Sequence, residues 1–382
     1  MKRRSFIRNT ASAGLAVATF SKLKSSEIPP VQVLDTRVIS LEPNHYHGWP
    51  TMTRARSGEL LLVCSGGRES HVCPFGRVEL MRSHNHGMTW TLPQVLLDTP
   101  IDDRDAGILE TSKGTLLVTT FTSLAYEDIL NQNREESEWS LEKRNRWLAA
   151  HHRIDDTERK QTLGPWMIRS EDHGITWSRP YHCLVNSPHG PIELSDGTIF
   201  YAGKELYGQN RIGAAVSHDD GKTWKPRSVM KTRDGDDPEK YHELHAVEAP
   251  SGKIIAHIRN HNSAHAGETL QAESTDAGLT WSPIRSIDVW GLPSHLLRLR
   301  DGRILMSYGY RRKPYGNQVR VSEDEGVTWS SAMPLSSDGI GYDLGYPSTV
   351  QLEDGKLVTV WYERMHGSPF ARLRQAVWEF TG

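Results

Sequence analysis

Cysteine is scarce: the chain has three in 382 residues, too few for a fold built on disulfides. Long apolar runs are missing as well, and no stretch approaches the roughly 20 consecutive apolar residues of a membrane-spanning helix. Charge of one sign is not in excess either. The formal net charge is -2, from 45 basic and 47 acidic residues, whereas a nucleic-acid binder needs a clustered surplus of Lys and Arg to meet phosphates. Neither an HExxH motif nor a paired CxxC occurs, so no metal motif stands out and no cofactor is implied. What the chain does have is 32 Gly and 12 Trp, a composition too rich in turns and large aromatics for a helical bundle.

Residues 1–26 differ from the rest. Lys2, Arg3, Arg4 and Arg8 precede a short apolar run, Ala11 to Phe20, with small residues around Ala16 and Ala18. That order predicts an export signal of twin-arginine type, cleaved near Ala18, and hence a periplasmic or secreted protein. The segment holds six basic and no acidic residues, so loss of all of it takes the formal charge from -2 to -8, while cleavage after Ala18, which keeps Lys22 and Lys24, gives -6. Such a protein folds before export, which predicts that Cys64, Cys73 and Cys183 are thiols.

Five octapeptides repeat one pattern: SHNHGMTW from Ser83, SEDHGITW from Ser170, SHDDGKTW from Ser217, STDAGLTW from Ser274 and SEDEGVTW from Ser322. Ser and Asp bond the backbone of their own turn, Gly supplies a positive φ, and Trp packs beneath. A second repeat accompanies the first. Apolar runs are split by glycine turns at Gly58, Gly114, Gly197, Gly252, Gly302 and Gly355, at intervals of 56, 83, 55, 50 and 53 residues. Runs of this length on both sides of a turn read as buried hairpins, and the interval is that of one propeller blade.

The fold class that follows is all-β: a six-bladed β-propeller of four-stranded antiparallel blades over residues 31–382. The strand near Val31 is expected to pair with the last blade, which has no box, and so close the ring. The long interval is assigned to a helical insertion in blade two, residues 124–161. This segment is highly charged and has Trp139, Trp147 and Leu148 spaced for one helix face. It suits either a solvated surface helix or a lid or subunit contact.

In a propeller the first strands of the blades converge on the axis, so their starts line one pocket. Here those starts are polar. They carry His47, Asp105, His189, Glu243, His245 and His295 at corresponding repeat positions, with Arg68, Glu69 and His71, Arg259 and Arg311 at the far ends of second strands. Burying such groups is costly unless they meet a ligand or one another. A shared pocket is the expected explanation.

The boxes resemble the Asp-box, or BNR, repeats of the sialidase superfamily over nearly the whole chain after the leader. Within it, HELHAVEAPSGKIIAHIRN resembles the segment whose Glu opens a strand and whose Arg closes the hairpin, falling on Glu243 and Arg259. LLRLRDGRILMSYGYR places a second Arg at Arg311. GYPSTVQLEDGKLVTVWYE places a nucleophilic Tyr at Tyr346 and a supporting Glu at Glu363. The resemblance implies hydrolysis of an anionic sugar, with Glu243 taking the Tyr346 proton and the arginines holding the sugar's carboxylate. A neutral nucleophile suits such a substrate because it does not repel the carboxylate.

Blade one departs from the family. Gly48 stands where the first clamp arginine is expected, with Arg68 as the substitute, and no Asp matches the general acid, for which His71, Glu69 and Asp105 are the candidates. His47, His189, His245 and His295 are taken as further substrate contacts. An acidic glycan or oligosaccharide of sialic or uronic type is the expected partner. Two other readings stay open: a polysaccharide lyase or metal-assisted enzyme using the histidines, and a carbohydrate-binding propeller without catalysis.

Overall fold

The protein is described by a computed structural model over residues 30–131, 139–205 and 207–381. The export signal expected in residues 1–26 lies outside the described residues. Six four-stranded sheets stand around one axis. Blades one to five span residues 46–97, 102–182, 192–229, 241–290 and 294–339 in chain order. Blade six takes three strands from residues 344–380 and its outermost from Val31–Val38, which pairs antiparallel with Ala371–Phe380. The first strand of the fold thereby caps the last, and the ring has no open joint.

Why the sheets stay upright against one another is visible in the apolar clusters between neighbours. Each boxed Trp is wedged between its own blade and the preceding one. Trp90 packs at the joint of blades six and one, Trp177 at one and two, Trp224 at two and three, Trp281 at three and four, and Trp329 at four and five. The joint of blades five and six has no box. There Trp361 and Trp378, both fully buried, fill the same volume.

The box itself is closed by its own side chains. In blade two, Ser170 Oγ accepts from the Gly174 N–H at 2.8 Å and donates to Asp172 Oδ1 at 2.7 Å, while Asp172 also accepts from the N–H and hydroxyl of Thr176. These bonds hold the Asp172 carboxyl below its ordinary range.

Between the second and third strands of blade two the chain forms three helices: α1 (Ala125–Asn131), α2 (Leu141–His151) and α3 (Asp156–Thr162). Ser140 caps α2, and Asp155 with Glu158 makes a capping box on α3. Trp147 and Tyr126 are buried against Cys73, Val72 and Phe75 of a blade-one loop, with Trp139 and Leu148 partly buried on the same cluster. The helices therefore dock on that loop instead of standing free in solvent. Cys64, Cys73 and Cys183 are free and buried.

Candidate active site

The innermost strand of blade six runs through Gly345-Tyr346-Pro347-Ser348, and there its ladder slips. Gly345 pairs with Tyr362 but Ser348 pairs with Val360, so two residues, Tyr346 and Pro347, oppose one. Tyr346 sits at φ 53°, a left-handed conformation costly for a bulky residue and rarer still before proline. The same slip recurs in blade one, between Gly48 and Thr51, and in blade two, between Arg104 and Gly107. It places Trp49 at φ 53° and Asp105 at φ 46°. In blade four the slip falls between Tyr241 and Leu244, at His242-Glu243, opposite Arg259. A bulge turns a side chain away from its normal face, and these four bulges direct Trp49, Asp105, Glu243 and Tyr346 toward the axis.

There the side chains meet. The Tyr346 hydroxyl donates to Glu243 Oε1 at 2.5 Å, and Arg259 Nη1 donates to both, at 2.8 Å each. Burial alone would raise the Glu243 carboxyl, but Arg259, His242 and the Tyr346 hydroxyl outweigh it and hold it at about 2. Burial and the Glu243 charge push the Tyr346 phenol well above its ordinary value. The resting pair is thus a neutral phenol on a carboxylate. Arg311 lies 5.8 Å from the Tyr346 ring centre, its Nε donating to the Leu344 carbonyl at 3.0 Å.

Asp105 is buried, and its Oδ1 has no partner. Burial, with a contribution from Glu243, raises its carboxyl to about 7 against the opposing pull of Arg104. It is a protonated acid through most of the range below neutrality.

Beside Tyr346, across Tyr362 and Arg311 that contact it, opens a cavity of about 660 Å³ lined also by His71, Asp343 and Arg364 among others. His71 is half exposed, and its Nδ1 lies 3.0 Å from Asp343 Oδ1 and 2.9 Å from the Tyr46 hydroxyl, which leaves Nε2 for the cavity. Burial lowers the imidazole below its usual value, partly offset by the hydrogen bond to Asp343.

Several expected residues take other positions. Arg68 is fully buried and makes a two-pronged pair with Asp102, Nη1 to Oδ1 at 2.6 Å and Nη2 to Oδ2 at 2.9 Å. It also donates to the carbonyl of His71 at 2.9 Å. With its donors engaged it is no free clamp for a substrate, and it fixes the loop that carries His71. Glu69 is held by α2, accepting from Arg146 Nε at 2.9 Å and Trp147 Nε1 at 3.0 Å, and so is not a free acid.

Glu363 faces the opposite side of its strand from Tyr362. It accepts from Trp361 Nε1 at 2.9 Å and from Arg374, and supports neither clamp arginine. His47 is buried beside Glu79 and Glu42.

His189, His245 and His295 do converge on the axis, with ring centres 4.6–5.3 Å apart. They lie in the layer below Tyr346 and line a separate cavity toward the other end of the ring. Burial lowers His189 to about 3 and the other two well below their usual value. They are neutral at neutral pH and belong to that other cavity rather than to the one beside Tyr346.

Sequence reasoning missed Trp49, Arg104, Tyr362, Asp343 and Arg364. Arg104 lies over the Trp49 ring at 4.4 Å, and Trp49 is within 6.4 Å of Tyr346 between ring centres. One signal was available: Gly48-Trp49-Pro50-Thr51 repeats the spacing of Gly345-Tyr346-Pro347-Ser348, and the two bulges coincide.

Fold and site together define a six-bladed β-propeller built on Asp-box repeats, with a polar pocket on its axis. Over residues 153–359, more than half of its length, the chain matches the BNR repeat-like domain, and it belongs to that family. Among solved structures it is similar to a protein of unknown function from Dyadobacter fermentans DSM 18053, with a TM-score of 0.75 and 23% identity over 93% of this chain and 100% of that one. It is similar to the intramolecular trans-sialidase from Ruminococcus gnavus, solved in complex with oseltamivir carboxylate, with a TM-score of 0.64 and 14% identity over 87% and 94% of the two chains. The α-L-arabinanase of Penicillium chrysogenum, solved with arabinobiose, matches with a TM-score of 0.61 and 15% identity over 91% and 98%. At these identities the likeness establishes the fold. No curated protein sequence matches the chain.

The Arg68 pair makes a distinction that can be measured. Arg68→Met leaves the buried Asp102 with only the longer contact to Arg104 Nη1 at 3.5 Å as counter-charge, a loss of about 3 kcal/mol. The expected result is a large fall in the thermal unfolding midpoint. A variant with unchanged stability and selectively weakened substrate binding would restore Arg68 to the clamp.

Proposed function

We propose that the protein is an exported, exo-acting glycoside hydrolase that removes an anionic sugar from a glycan, with Tyr346 as nucleophile. The observation that carries this reading is the bridged pair of Tyr346 and Glu243, joined at 2.5 Å and both bonded to Arg259 Nη1. Tyr346 Oη attacks the anomeric carbon, its proton passes to Glu243, and the glycosidic C–O bond breaks. Charge moves between two oxygens that share one guanidinium donor, so Arg259 stabilises it on either. Arg311 and Arg364 on the cavity wall, with Arg104 over Trp49 where the family's blade-one arginine is replaced by Gly48, favour a carboxylate-bearing sugar of sialic or uronic type.

His71 is assigned as the acid that protonates the leaving oxygen, acting in its protonated form on the acid side of the pH range, since it is half exposed on the cavity wall and its bond to Asp343 favours the imidazolium against the lowering by burial. It then takes a proton from the water that cleaves the tyrosyl intermediate, while Glu243 returns its proton to Tyr346. Asp105, neutral below about pH 7, keeps a further negative charge away from the nucleophile pair and the substrate carboxylate.

Tyr346→Phe is expected to lower kcat by at least on the order of 10³-fold on the true substrate, measured as released sugar from a panel of sialosides, uronides and acidic oligosaccharides. Wild-type-like turnover in a folded variant would end the assignment. His71→Asn should lose on the order of 10²-fold on an unactivated oligosaccharide and far less on a nitrophenyl glycoside, whose leaving group needs no proton. Equal losses on both would remove His71 from the acid role.

The pH profile tests Asp105. Ionisation above about pH 7 places charge beside Glu243, so wild-type kcat should fall as pH rises through that value. Asp105→Asn should abolish that alkaline limb, and a limb that persists would assign it to another group.

A further inference from the structure

Outside the active site, blade one contains a buried donor cluster that the proposed reaction does not use. His47 lies on its innermost strand and Glu79 on its third, and they approach each other across Gly66 of the second. A Cβ on Gly66 would come within 1.9 Å of Glu79 Oε2, so this glycine makes the space in which the carboxylate sits. His47 is 1% exposed and neither of its ring nitrogens has a hydrogen-bond partner; Glu79 is fully buried and its Oε2 has none. Unsatisfied polar atoms at this depth are expensive, and here three of them share one small volume.

The distances separate two explanations. His47 Nε2 lies 3.6 Å from Glu79 Oε2 and 4.0 Å from Glu42 Oε2, beyond hydrogen-bond length in both cases. Two ligands on one tetrahedral cation, with bonds of about 2.0–2.2 Å, stand roughly 3.3–3.6 Å apart, which the His47–Glu79 distance meets, while the partly exposed Glu42 would close by a few tenths of an ångström. Donor atoms of Glu42, His47 and Glu79 all lie within 4.8 Å of one another, the one such cluster among the described residues.

A surrounding shell is also present. Arg77 Nε holds the other Glu79 oxygen, Oε1, at 2.6 Å, as outer partners of metal-bound carboxylates do.

We propose that Glu42, His47 and Glu79 bind one divalent cation of the zinc class, by one nitrogen and two carboxylate oxygens. Glu42 belongs to the connection that leaves the closing strand Val31–Val38, and His47 and Glu79 belong to blade one. The ion would tie the ring's closure to the first blade, beside the bulge that carries Trp49.

The test is titration of the chelator-treated full chain with Zn²⁺ alone, followed by calorimetry and thermal unfolding. One ion per chain and a rise in the unfolding midpoint are expected. His47→Ala and Glu79→Gln should each weaken binding of that ion at least about tenfold. Should either fail to fold, Glu42→Gln, at a partly exposed position, should show the same loss. His295→Gln, in the axial cluster, should leave the ion bound. No stoichiometric binding by the wild type, or binding lost in His295→Gln and retained in Glu42→Gln and His47→Ala, would overturn the proposal.

Discussion

A ring of sheets is stable only if each sheet finds an apolar partner on both faces, because a single missing joint would expose two of them to water. In this protein the constraint is met by one tryptophan wedge per joint and by strand exchange at the seam. Five wedges come from the boxes. The sixth joint, where no box exists, is filled by Trp361 and Trp378, and the seam is held by the pairing of Val31–Val38 with Ala371–Phe380. The position of every axial residue depends on this closure, since the site is assembled from blades one, two, four, five and six.

Closure alone would bring ordinary alternating strand residues to the axis. The bulges change which residues arrive. In blades one, two and six they force Trp49, Asp105 and Tyr346 into a left-handed backbone conformation, and the cost of that strain is borne by the surrounding sheet. In return Tyr346 is held against Glu243 and Arg259 on a strand, a rigid placement that suits the proposed nucleophile, which must be aligned before it reacts. The proposed acid is mounted differently. His71 sits on a loop bonded by Arg68 through its own carbonyl and by the helical insertion through Glu69, so two side chains expected in the pocket are instead engaged in holding the loop that carries the proposed acid.

Much of this was legible in the chain because the repeats carry their physics locally. A box needs only its own Ser, Asp, Gly and Trp to close a turn, and a glycine-split pair of apolar runs needs only its neighbours to make a hairpin. Tyr346, Glu243, Arg259 and Arg311 were visible because each sits at a fixed offset from such a turn. Arg68 and Glu69 were misread because offset does not reveal partners. Asp102 is distant in sequence from Arg68, and Arg146 and Trp147 reach Glu69 from an insertion nearly 80 residues away. His189, His245 and His295 were grouped with Tyr346 for a related reason: equal positions in the repeat do not mean equal depth along the axis, and the three line a different cavity.

Sequence by itself therefore determined the number of blades, the place of the insertion and the residue types gathered on the axis, since these follow from periodic, short-range turn chemistry. Tertiary structure alone decided which of the gathered groups are free to act. Whether an arginine clamps a ligand or neutralises a buried aspartate, and whether a carboxyl is held at about 2, as in Glu243, or raised to about 7, as in Asp105, depends on burial and on charges brought in from other blades, and no local pattern encodes those.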